Sequence, residues 1–126
     1  MSKGLKLTFL IHAIVATLFG IGLFLVPGTF GRAVNWSPID PTMARMFGGA
    51  LLAFAAGSKL AYSATSWEQV RILVGAEVAL TVLGVVGTLY SLLMEGAPAF
   101  AWVPFCLYVV FAILWTYFYM KAPKKS

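Results

Sequence analysis

The 24-residue stretch Val70–Leu93, VRILVGAEVALTVLGVVGTLYSLL, constrains this chain more than any other feature. A helix needs roughly 20 apolar residues to cross a bilayer core of about 30 Å, and this stretch is long enough. Backbone N–H and C=O groups must satisfy one another in lipid, so a run of this length reads as a transmembrane helix. One acid, Glu77, lies inside the apolar run. An ionised group at that depth costs roughly 2.5–3.5 kcal/mol on insertion scales, so Glu77 should be paired or protonated, and its face with Leu73, Leu80, Thr81 and Gly84 should turn inward.

Three other stretches read the same way. The first runs from Leu7 to Val26 and carries one histidine, His12, but no formal charge. Pro27-Gly28 should end it, since proline breaks the hydrogen-bond ladder and glycine turns the chain. The second runs from Met43 to Tyr62, after a polar connection with Trp36, Pro38 and Asp40-Pro41-Thr42, a helix start signal. Its Gly49, Ala53 and Gly57 recur every four residues, a small-xxx-small pattern that brings membrane helices together. Arg45 and Lys59 flank its uncharged middle, where long basic side chains snorkel to the interfaces. Ser66-Trp67-Glu68-Gln69 resembles a capping box ahead of the 70–93 span. The last span, 99–120, is bulky and aromatic. Trp102 at one end and Trp115, Tyr117 and Tyr119 at the other read as aromatic belts.

The expected fold class is therefore an all-α membrane protein. The expectation is a four-helix transmembrane bundle with short loops, one domain over 1–126, and spans near 7–26, 43–62, 70–93 and 99–120. Composition agrees: 61% of residues are hydrophobic and 10% charged, against about 25% charged in soluble domains. MSKGLK before an apolar run resembles a signal peptide, but the run exceeds the 7–15 residues of such a segment and reads as an uncleaved first span.

The net charge of +5 is not read as a nucleic-acid signal, because the basic residues cluster at span ends and in the tails. With both termini on one side, that side holds Lys3, Lys6, Lys59, Arg71, Lys121, Lys124 and Lys125. The other side holds Arg32 and Arg45. The positive-inside rule then puts both termini in the cytoplasm, in a multi-pass protein of the inner (cytoplasmic) membrane. Lys121, Lys124 and Lys125 read as an anchor on anionic headgroups.

At about 1.5 Å of rise per residue, His12, Glu77, Lys59 and Thr116 fall at similar depths in the cytoplasmic half. They are the expected ligand-binding residues, with His12 the better partner for Glu77. Three readings stand side by side: a polar clasp that fixes helix packing, a site for a ligand, proton or quinone headgroup, and snorkelling without pairing. His12 is also the expected cofactor-binding position, because imidazole ligates haem iron or chlorophyll magnesium. With one histidine in the chain, a second ligand would come from another subunit. Cys106 stands alone, so neither an internal disulfide nor a CxxC pair can form. No triad, metal-ligand spacing or paired carboxylates appear, and an enzyme is the less favoured expectation.

The residues Arg45-Met46-Phe47-Gly48-Gly49 through Gly57-Ser58-Lys59-Leu60 resemble the arginine–glycine–glycine–lysine–leucine pattern of the DoxX-like family of small, mostly four-span membrane proteins. The resemblance implies an accessory or anchoring subunit of a membrane redox complex, with Arg45 and Lys59 at the matching positions. The expected function is a non-catalytic membrane subunit packed against larger partners. The alternative is a small-molecule, lipid or quinone binder or carrier acting as a homo-oligomer.

Overall fold

The computed structural model describes residues 1–122 and is all-α. Lys124 and Lys125, expected to anchor the tail, lie outside the described residues. The helices are α1 (Lys3–Leu25), α2 (Pro27–Ala33), α3 (Pro41–Tyr62), α4 (Trp67–Met94) and α5 (Trp102–Lys121), with a 3-10 turn at Ala99–Ala101 before α5. Three segments are long and apolar enough to cross a membrane: Lys3–Leu25, Trp67–Met94 and Ala99–Lys121. The chain divides into two compact units, residues 2–63 and the residues from 64 onward.

In the first unit, α1 packs on α3. The pairing is antiparallel: Lys6 meets Tyr62, His12 meets Ser58 and Arg45 reaches Phe24. The helices cross most closely at Gly20 and Gly48. A Cβ on Gly48 would sit 2.8 Å from the Phe24 backbone nitrogen and 3.0 Å from the Gly20 carbonyl oxygen. Only a residue without a side chain lets two backbones approach this closely. The buried face of α3 is Ala44, Gly48, Leu51, Ala55, Ser58 and Ala61. α1 thus meets the Gly48 face of α3 rather than the stripe of Gly49, Ala53 and Gly57, of which Ala53 is exposed and the two glycines are half-buried. Both stripes are rich in small residues, and spacing alone does not tell them apart. Gly20 and Phe24 on α1 select the one that contains Gly48.

The first span ends just before Pro27-Gly28, as expected, but the chain goes straight into another helix. The break falls at Val26, and Pro27 opens the short helix α2 from its first position, where the missing N–H is no loss. Phe30 folds back onto α1, with its ring 6.0 Å from that of Phe19 and in the space left by Gly22. Asp40 caps α3 as its sequence signal indicated, its Oδ1 accepting from the Thr42 and Met43 N–H groups.

In the second unit, α4 packs on α5. Gln69 in the first turn of α4 accepts from the backbone N–H groups of Thr65 and Ser66 at 2.8 and 3.4 Å, which ties down the helix start. The pair is small against large. Gly84 lies against the Tyr108 ring and Gly75 against Tyr119. Trp67 meets Tyr119 edge to face at 6.0 Å, so the start of α4 lies beside the end of α5. The turn between them uses Gly96 at φ +66°, a left-handed conformation natural to glycine. Pro104 sits in the first turn of α5, where proline costs no hydrogen bond.

Candidate functional site

The polar residues of the apolar helices gather in two places, one in each unit. In the first unit, the His12 Nδ1 lies 2.9 Å from the Ser58 Oγ, with both side chains buried. His12 is on the α1 face with Leu5, Thr8, Phe9, Ala16 and Gly20, and Ser58 is on the α3 face that meets it. Thr8 turns its hydroxyl back to the Gly4 carbonyl at 2.9 Å and so satisfies itself within α1. Which of His12 and Ser58 donates depends on the imidazole tautomer. A serine beside a histidine is also the nucleophile–base arrangement of hydrolases. There, free N–H groups stand ready for the oxyanion. Ser58 lies inside α3, where backbone N–H groups are spent on the helix itself. The pair therefore acts as a hydrogen-bonded clasp between α1 and α3.

Lys59 follows Ser58 in the last turn of α3 and is exposed. Adjacent residues point about 100° apart on a helix, so burying Ser58 turns Lys59 outward. The buried polar group that the chain delivers at this level is Ser58, which sequence reasoning missed. Its signal was present: Ala44, Gly48, Leu51, Ala55 and Ser58 recur at spacings of four and three.

In the second unit, Glu77 is fully buried, on the α4 face with Val70, Val74 and Thr81. The inward turn expected for Glu77 is thus observed, whereas Leu73 and Leu80, expected on the same face, are half-buried flanks. Across from it on α5, the buried indole of Trp115 lies beside the Glu77 carboxyl group. Trp115 is itself fully buried and stacks on Phe111 at 6.3 Å with the planes 23° apart. Tyr108, about two turns before Trp115 on α5, packs its ring against Gly84 of α4. Thr81 donates to the Glu77 backbone carbonyl at 2.7 Å, which binds its hydroxyl to the helix.

Trp115 corrects the reading of span four. It belongs to the Glu77 site, while Tyr117, Tyr119 and Trp102 are exposed as belt residues would be. A tryptophan at this end reads as interfacial from sequence alone, because only its register against Glu77 separates the roles. Thr116, the next residue, turns away from this cluster and lines an open groove on α5 with Ala112, Ile113, Tyr117 and Met120.

The arrangement is a carboxyl group and three aromatic side chains in one unit, and an imidazole–hydroxyl pair in the other. Among the described residues, no three His, Cys, Asp or Glu side chains gather as a metal site. Comparison with protein-family models, with curated proteins and with solved structures found no match.

Proposed function

We propose that the chain is a four-span, non-catalytic subunit of the cytoplasmic membrane that packs against larger membrane partners. α3 is the fourth span in this reading, with both termini in the cytoplasm. Its 22 residues reach about 33 Å at the helical rise, enough for a bilayer core. Arg45 and Lys59 lower its hydropathy, but both are exposed near its ends, where snorkelling is cheap.

The observation that carries the proposal is where the apolar surface lies. Ile72, Leu83, Val86, Tyr90 and Leu93 on α4, and Val110, Ile113 and Met120 on α5, are exposed along faces with no charged residue among them. Only Ser63–Ser66 and Glu95–Pro98 separate α3 from α4 and α4 from the turn before α5. Such surface is at home in lipid or against another membrane helix. The connections between these helices leave little extramembrane surface on which to build a catalytic site. The DoxX-like resemblance of the Arg45–Leu60 segment extends the proposal to a redox or energy-converting complex. Purification in mild detergent is expected to bring down other polypeptides. Isolation of a stable homo-oligomer that works alone would count against it.

A second reading rests on Glu77. A carboxyl group fully buried within an apolar span is a functional candidate by default. The chain would then bind or carry a small molecule, lipid or quinone as a homo-oligomer. Glu77→Gln would abolish binding or transport and leave the fold intact, and unchanged ligand behaviour would remove this reading.

A further inference from the structure

We propose that the groove on α5 is a binding site for an anionic phospholipid, with an acyl chain in the groove and the headgroup on Lys121. The groove is open and shallow, offers about 470 Å³ of space, and is lined by Ala112, Ile113, Thr116, Tyr117 and Met120. The lining comes from one helix over two turns, and from Ala112 to Met120 the axial rise is about 12 Å. Ala112 makes the recess by being small between larger neighbours.

Charge decides which occupant fits. The groove ends at Met120, and Lys121 follows it. The Lys121 Nζ lies 5.9 Å from the Tyr117 ring centroid, so the ring holds the ammonium over the groove's end. Tyr117 and Tyr119 are exposed at this end and Trp67 lies beside Tyr119, an aromatic set suited to the headgroup layer. The acid at the start of α4, Glu68, is bridged to Arg71 at 3.2 Å and so does not offset Lys121. An open apolar groove running up to a held ammonium at headgroup level matches an acyl chain joined to a phosphate. A protein helix would cover the apolar lining but would need its own acid at this level to pair with Lys121.

The test uses the full chain, purified in detergent and titrated with phosphatidylglycerol or phosphatidylcholine, with bound lipid read by native mass spectrometry. Phosphatidylglycerol is expected to be retained preferentially. Lys121→Gln should lower its retention about fivefold, the factor for one basic residue at an anionic surface, and leave phosphatidylcholine unchanged. Lys6→Gln removes a different lysine held over an aromatic ring, Tyr62, and should change neither. Lys124 and Lys125 remain in every variant, so tail charge is constant. A benzoylphenylalanine photo-crosslinker replacing Ile113 should attach to the lipid. Equal retention of the two lipids by the unmodified chain, an equal loss in Lys6→Gln, or a crosslink to a second polypeptide would each overturn the site.

Discussion

Gly84 lies beneath the ring of Tyr108: a Cβ at position 84 would come within 2.5 Å of two of its ring carbons. The α4–α5 contact is set by this fit, because the Tyr108 Cγ is also only 2.7 Å away and the ring cannot swing clear at its far end. Gly84→Ala should therefore destabilise the protein by about 1–3 kcal/mol, the usual cost of overpacking. Gly87→Ala, with nothing within 4 Å of its added methyl, should be near neutral. Unfolding in mixed detergent micelles measures both. Replacing Tyr108 by Ala in the Gly84→Ala background should remove the clash, giving a strongly non-additive double mutant.

Two adjacent glycines on α3 supply a sharper comparison. An added Cβ meets backbone atoms at Gly48, whereas at Gly49 it finds only the Phe24 ring at 3.7 Å, an ordinary contact. Gly48→Ala is expected to cost about 1–3 kcal/mol, and Gly49→Ala to stay within about 0.5 kcal/mol. Equal costs would mean that the α1–α3 crossing is not at Gly20 and Gly48.

These two glycines also mark how far the sequence could be read. Helix content, the Asp40 cap and the inward turn of Glu77 were legible, because they follow from local spacing and from the cost of charge in lipid. The small-residue face of α3 was not. Gly48 and Gly49 head overlapping stripes, and only the opposing Gly20 and Phe24 choose between them. The same limit hid Ser58 behind its charged neighbour Lys59. It also put Trp115 in an interfacial belt, although its register with Glu77 buries it.

The His12–Ser58 clasp should be worth little more than other hydrogen bonds between membrane helices. A double-mutant cycle of His12→Ala and Ser58→Ala is expected to give a coupling of about 0.6 kcal/mol, and no more than about 1.7 kcal/mol. Zero coupling would mean that the 2.9 Å contact carries no energy.

Trp115 contributes both volume and an N–H group to the Glu77 site. Trp115→Ala should cost about 3–5 kcal/mol, as for other buried aromatics. Trp115→Phe keeps an aromatic ring but removes the indole N–H beside Glu77. The polar share of that contact should not exceed the worth of one hydrogen bond, about 0.5–1.5 kcal/mol. In a Glu77→Leu background that share should vanish, which separates the polar contact from packing.

Whether α3 crosses the bilayer decides between a four-span subunit and a chain with three crossings. Single cysteines at Ser37, before α3, and at Thr65, after it, read this directly once Cys106 is replaced by serine. An impermeant thiol reagent is applied to intact cells, then to cells whose membrane has been opened. The four-span account predicts that the cysteine at Ser37 reacts from outside, while the one at Thr65, like one at Ser2, reacts only after opening. Labelling of positions 37 and 65 from the same side would contradict it.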